Sequence, residues 1–120
     1  MEIKIEQKGP RTISVNVTGR LDAATSPELE KRLTACFGEG TIGLILNFAE
    51  LEYISSAGLR VLIFAAKKMK SANGSLALCG LQEYVREVIE IAGFMTILQI
   101  LPNEEQALAA VGRALPGQGV

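Results

Sequence analysis

The chain has 120 residues, enough for one domain with one substantial core. Its 48% hydrophobic and 21% charged content matches a soluble globular protein. A net charge of −1, from 12 basic and 13 acidic side chains, excludes a general attraction to nucleic acid or an anionic membrane. There is no histidine, so a Ser-His-Asp hydrolase and histidine acid–base chemistry are excluded as well.

Met1 leads directly into the alternating run EIKIEQ, without the basic and apolar regions of a signal peptide. No apolar run approaches the roughly 18 to 20 residues of a membrane span. A cytoplasmic location without membrane insertion is therefore expected. Cys36 and Cys79 are the two cysteines, neither in a CxxC motif, and each lies in an apolar pattern. They read as buried free thiols, and no metal site or cofactor is expected.

In chain order, EIKIEQ places Ile3 and Ile5 on one face, KGPR forms a turn, and TISVNVTG alternates through Ile13, Val15 and Val17. These two runs predict an antiparallel hairpin with one polar face. SPELEKRLTACF predicts a helix, capped by Ser26, with Pro27 in its first turn and Leu29, Leu33, Cys36 and Phe37 on one side. TIGLILNF is nearly all apolar and fits a central strand covered on both sides.

The next helix begins at Ser56 or Ala57 and runs through GLRVLIFAAKKMK until SANG stops it. SLALCG predicts another short strand. QEYVREVIEIAG predicts a helix with Val85, Val88, Ile89 and Ala92 inward and Gly93 as its stop. MTILQIL is a last strand candidate, and NEEQALAAVGRAL is a closing helix with Asn103 as cap and Gln106 at the capping-box position. The order β-β-α-β-α-β-α-β-α predicts one α/β domain over residues 1–114, with a mixed sheet and parallel crossovers after the hairpin. Residues 115–120, LPGQGV, read as a frayed tail.

The junction YISSAGLRVL places Ser55 and Ser56 at a helix N-terminus, on the C-terminal edge of the sheet, where open α/β sheets carry their functional groups. One serine is explained as an N-cap. A second serine is not, nor is Gly58 in the first turn, where glycine costs about 1 kcal/mol relative to alanine. Ala57 and Gly58 together are read as clearing bulk from the approach to Ser56. A GxSxG nucleophile elbow would need glycine at position 54, which is Ile, and no P-loop occurs. A helix N-terminus does accommodate phosphate, through free amides and the positive end of the dipole. Phosphorylation there would change the surface without unfolding the domain. Along the helix, Leu59, Leu62, Ala66 and Met69 are expected to be buried with Ile63 on the flank. Arg60, Phe64, Lys67 and Lys68 then share the opposite face, either as a recognition surface or with the charges solvated and Phe64 under a neighbouring loop.

The segments VNVTGRLDAATSPELEKRL, LILNFAELEYISSAGLRVL, LALCGL and YVREVIEIAGFMTIL resemble, in order, a stand-alone STAS domain of the bacterial anti-sigma factor antagonist family. The resemblance implies a β-sheet with helices packed mainly on one side and a partner-switching role without enzymatic activity. It implies an anti-sigma factor as partner, often itself an ATP-dependent serine kinase, and a phosphatase that reverses the mark. The phosphorylated residue maps to Ser56, two before Gly58 and three before Leu59, with Ser55 the lesser candidate. The family's Asp in G-x-L-D maps to Asp22, the only aspartate, expected near Ser56, where it orients the hydroxyl, shapes the kinase contact or caps its own loop. Many antagonists carry Asp immediately before the phosphorylated serine, whereas this chain has Ser55 there. The expected partner contacts are Asp22, Ser55, Gly58, Arg60, Phe64 and Lys67, on a monomer or weak dimer. The alternative is an unphosphorylated adaptor subunit of a lipid-trafficking ABC transporter, docking through the same helix. A serine esterase or nucleotide hydrolase is the enzymatic alternative, which the missing histidine, elbow and P-loop disfavour.

Overall fold

The computed structural model of the chain describes residues 1–114; the expected tail at 115–120 lies outside the described residues. The elements are β1 (Glu2–Gly9), β2 (Thr12–Leu21), α1 (Ser26–Gly38), β3 (Gly43–Asn47), β4 (Leu51–Ile54), α2 (Ser56–Ser71), β5 (Ser75–Cys79), α3 (Glu83–Ile91), β6 (Gln99–Leu101) and α4 (Glu104–Ala114). The expected α/β fold and mixed sheet are present, with one short strand, β4, that the sequence pattern did not reveal.

The alternation in β1 and β2 sets the hairpin register, Ile3 opposite Val17 and Ile5 opposite Val15. From β2 onward the pairing is parallel, in the order β1-β2-β3-β5-β6. Residues paired in parallel point to the same face, so Ile13, Leu44 and Leu76 fall on one side and Ser14, Ile45 and Ala77 on the other. The first side carries the main core, where β2 and β3 meet Leu29 and Leu33 of α1, Val61, Leu62 and Met69 of α2, and Val85 and Ile89 of α3. On the opposite side, among the described residues, α4 is the helix that packs, through Ala107 and Val111 against Ile45, Ala77 and Cys79. Helices therefore lie mainly, though not wholly, on one side. α4 is also tied by polar contacts: Lys8 lies 3.4 Å from Glu104, and the Asn47 side-chain amide donates to Glu104 at 3.4 Å.

β2 is long enough to serve two partners. Thr12–Asn16 pairs with β3, and Gly19–Leu21 pairs with β4. Between them Gly19 adopts φ +99°, a left-handed conformation suited to glycine, and its amide donates to the Glu50 carbonyl at 2.9 Å. β4 escaped sequence detection because its four residues, LEYI, show no alternation and are separated by only three residues from an apolar strand.

Several local expectations change. Ser26 does not cap α1: Thr25 is the N-cap residue, and Ser26 is buried. The amides of Ala24 and Thr25 are instead met by the Asp22 carboxylate, at 3.0 and 3.1 Å. Ala92 is exposed, because α3 ends at Ile91. The last strand is confined to Gln99–Leu101, residues 95–97 forming a turn instead. Asn103 does cap α4, accepting from the Gln106 amide at 2.9 Å.

The buried stripe of α2 is Gly58, Val61, Leu62, Ala65 and Met69, rotated from the expected one; Leu59, Ile63 and Ala66 are half-buried. The reason is Gly58. A Cβ there would lie 2.7 Å from Ile54 Cγ1 and 3.0 Å from both the Leu21 carbonyl oxygen and Leu21 Cγ. The helix start is thus pressed onto the seam between β2 and β4, closer than any side chain permits. Gly58 does not clear the approach to Ser56; it faces the core. Gly58→Ala is expected to lower stability by about 1–3 kcal/mol, as overpacking does, read as a lowered urea midpoint at unchanged m-value. An unchanged midpoint would show that the seam yields freely.

Candidate functional site at the start of the second helix

β2 and β4 end side by side, Leu21 paired with Ile54, and the Ser55 amide donates to the Leu21 carbonyl at 2.9 Å. This pairing brings Asp22 and the two serines to one edge of the sheet. The serines then divide their roles. Ser55 has extended backbone and is the N-cap of α2, its Oγ accepting from the Gly58 amide at 3.5 Å. Ser56 is the first helical residue and is exposed. The amides of Ser56 and Ala57 precede the first helical bond, from Leu59 to the Ser55 carbonyl, so they have no partner within the helix. An anion on Ser56 would meet the positive end of the dipole.

Asp22 turns toward its own loop. Besides the Ala24 and Thr25 amides, its carboxylate accepts from the Thr25 hydroxyl at 3.2 Å, and that hydroxyl also reaches the Arg20 carbonyl at 2.8 Å. Of the roles expected for Asp22, loop capping is the one these hydrogen bonds support. The Thr25 amide is the chief cause that holds its carboxyl below the ordinary value of 3.8, with help from the Ala24 amide, the Thr25 hydroxyl and Arg20 and against partial desolvation.

Further along α2, Arg60 and Lys67 are exposed and line one depression together with Ser56, Leu59, Ile63 and Phe64. Its far wall is Phe94, from the loop after α3. Phe64 is half-buried rather than held out among charges: its ring lies 6.0 Å from that of Phe37 at the end of α1, with the Lys68 ammonium 5.9 Å from its centroid. Gly58 lies beneath this surface and supplies it with no side chain. Of the expected contacts, Arg60, Phe64 and Lys67 line one depression with the expected phosphorylation residue Ser56, whereas Asp22, Ser55 and Gly58 do not line it.

Sequence reasoning missed a second feature of the same edge. Arg20 lies over the Tyr53 ring at 4.1 Å, and Tyr53 stacks on Tyr84 of α3, centroids 5.9 Å apart. Arg20 and Tyr53 are register partners on β2 and β4, so the stack became visible only once β4 was known to be a strand. Phe94 was also missed, since it lies in a stretch read as the approach to a strand. Cys36 and Cys79 are buried free thiols, as expected. Burial first, and then Glu104, pushes the Cys79 thiol up to about 11; burial likewise raises Cys36, so neither is a poised nucleophile. No helix among the described residues is long and apolar enough to cross a membrane.

The STAS domain family model matches residues 3–107. The chain belongs to the STAS domain family. It is 42% identical over 98 residues to the Bordetella bronchiseptica protein named "Putative anti-sigma factor antagonist BtrV", covering 82% of this chain and 84% of that one. To the anti-sigma-B factor antagonist of Listeria monocytogenes it is 29% identical over 100 residues, covering 83% and 88%. Among solved structures, an anti-sigma factor antagonist from Mycobacterium paratuberculosis superposes with a TM-score of 0.83 at 23% identity, covering 92% of each chain. The unphosphorylated anti-sigma factor antagonist SpoIIAA superposes with a TM-score of 0.74 at 18% identity, covering 93% of this chain and 98% of that one. At these identities the structural matches establish the fold alone.

Two measurements test the division of labour at this edge of the STAS domain. Ser55→Ala should cost about 0.5–1 kcal/mol, the low end for a lost N-cap given the long bond, whereas Ser56→Ala should leave the melting temperature nearly unchanged. Equal effects would remove the distinction. Asp22→Ala should lower the melting temperature at pH 7. Because the Asp22 pKa is depressed on folding, its contribution is present above about 3.8 and is lost as pH falls through the lower folded value. The gap between wild type and Asp22→Ala should therefore close below pH 3.8; a constant gap would show that the carboxylate charge is irrelevant.

Proposed function

We propose that this STAS domain is an anti-sigma factor antagonist that works by partner switching and has no enzymatic activity of its own. Unphosphorylated, it binds an anti-sigma factor and so frees the sigma factor. The anti-sigma factor, acting as a serine kinase, transfers the γ-phosphoryl group of ATP to Ser56 Oγ: the Oγ–P bond forms, ADP leaves, and the hydroxyl proton passes to the kinase. A cognate phosphatase hydrolyses the ester and restores binding.

The observation that carries this reading is the asymmetry of the serine pair. Ser55 Oγ is committed to capping α2, while Ser56 is exposed at the first helical position beside two amides without helical partners. The names of the relatives in Bordetella and Listeria point to the same activity. A phosphate on Ser56 adds about two negative charges at a place that stabilises them, so the fold is retained while the positive charge of Arg60 and Lys67 in the same depression is offset. Arg60, one turn on, lines the same depression as Ser56 and is the cation nearest in sequence to receive that phosphate. The missing acidic neighbour is compensated in part, since Ser55 performs the capping that an aspartate at that position would also perform.

The test is titration calorimetry against the cognate anti-sigma factor, with phosphate uptake followed by mass spectrometry. Ser56→Ala should bind as wild type does and resist release by ATP. Ser56→Asp should bind about tenfold more weakly or worse, equivalent to about 1.4 kcal/mol. Ser55→Ala should still take up one phosphate, on Ser56. Equal affinity of Ser56→Ala and Ser56→Asp would overturn the switch and favour constitutive docking, as in an adaptor subunit.

A further inference from the structure

α2 carries four basic residues and no acidic one over its 16 positions, in a chain where acids slightly outnumber bases. Along its side facing the 94–99 segment runs a groove that continues well beyond the depression at Ser56. A second depression, with a cavity volume of about 530 Å³, opens toward the helix C-terminus, and Ile63 and Lys67 line both. The floor of this second part is apolar, formed by Ile63, Ala66, Met69 and Leu76 with Leu98 and Ile97 on the far wall. Ile97 is 62% exposed, a large apolar side chain left in solvent at the groove's edge. Lys67 and Lys70 stand at the rim, and no acidic side chain among the described residues lines either part.

We infer that this groove is a docking site for an amphipathic helix of a partner protein that carries an apolar stripe flanked by Asp or Glu. Three features select this occupant. From Ser56 to Lys70 the groove follows α2 for about 21 Å, the length of about 14 helical residues. Its floor is apolar and its rim cationic, so an apolar stripe is desolvated while flanking carboxylates meet Arg60, Lys67 and Lys70. The apolar surface is concave, so a flat bilayer would reach the rim lysines but not the floor. Helix-in-groove recognition of this kind reads anchors at i, i+3, i+4 and i+7. The second depression does not include Ser56, so contact with Ile63, Lys67, Lys70 and Ile97 is read apart from the switch, whereas a phosphate on Ser56 would repel the acidic flank at the other end of the groove.

The test uses a set of labelled leucine/glutamate helical peptides of about 14 residues, with the same peptides carrying lysine for glutamate as controls. Fluorescence anisotropy gives the affinity and amide shift mapping gives the place. The acidic peptides should bind saturably, shift the amides of Ile63, Lys67 and Ile97, and weaken as salt rises. The double variant Lys67→Glu/Lys70→Glu, at two exposed positions, should keep the wild-type circular dichroism spectrum and lose about tenfold or more in affinity. Ser56→Asp should weaken the acidic peptides less than Lys67→Glu/Lys70→Glu does, because its charge lies at one end of the groove, and failure of the switch itself is read separately, from the titration against the anti-sigma factor. The assignment is overturned by equal binding of the lysine peptides, by no saturable binding across the set, or by shifts confined to other surfaces. It is equally overturned if the groove amides respond instead to anionic vesicles, or to the chain's own concentration through self-association.

Discussion

The position of α2 rests on one missing methyl group. With hydrogen in place of a side chain at Gly58, the first turn of the helix settles against Leu21 and Ile54, at the seam where β2 and β4 run parallel. That contact fixes the rotation of the helix about its axis. It buries Val61, Leu62, Ala65 and Met69, turns Ser56 and Arg60 outward, and leaves Leu59, Ile63 and Ala66 half-buried beside the 94–99 segment. A side chain at residue 58 would push the helix start off the seam and disturb the pairing that brings Ser55 to Leu21. The glycine that looked like a courtesy to the serine is a packing requirement beneath it.

From that rotation follows a separation of work along the sheet edge. Asp22 and Ser55 spend their oxygens on backbone amides, closing the loop before α1 and the start of α2. Ser56 is left without such a commitment. Most buried polar groups are paired, while an exposed hydroxyl at a helix start carries little structural duty. Such a position can gain or lose a phosphate at small cost to the fold. The surface next to it combines apolar floor with cationic rim, and so it discriminates by charge as well as by shape.

Much of the fold was legible because burial imposes periodicity. The alternation of Ile3, Ile5, Ile13, Val15 and Val17 announces a half-covered hairpin, and the near-continuous apolar run TIGLILNF announces a strand covered on both faces. Asn103 and Gly93 marked helix ends through local capping chemistry. β4 was not legible, since four residues without alternation carry no period to detect. The Arg20–Tyr53–Tyr84 stack was hidden with it, because register joins residues far apart in sequence. The buried stripe of α2 was misjudged because a glycine scores as neutral in any hydrophobic pattern, yet here it marks the closest approach.

The sequence by itself determined the fold class, the family and the place of the two serines at a helix start, because periodicity, capping residues and the SSAGL motif are local. Tertiary structure decided which serine is free, which way α2 faces and that a groove joins it to the 94–99 segment. Those outcomes depend on contacts between Gly58, Leu21 and Ile54, and between α2 and residues some thirty positions later. No window along the chain contains them.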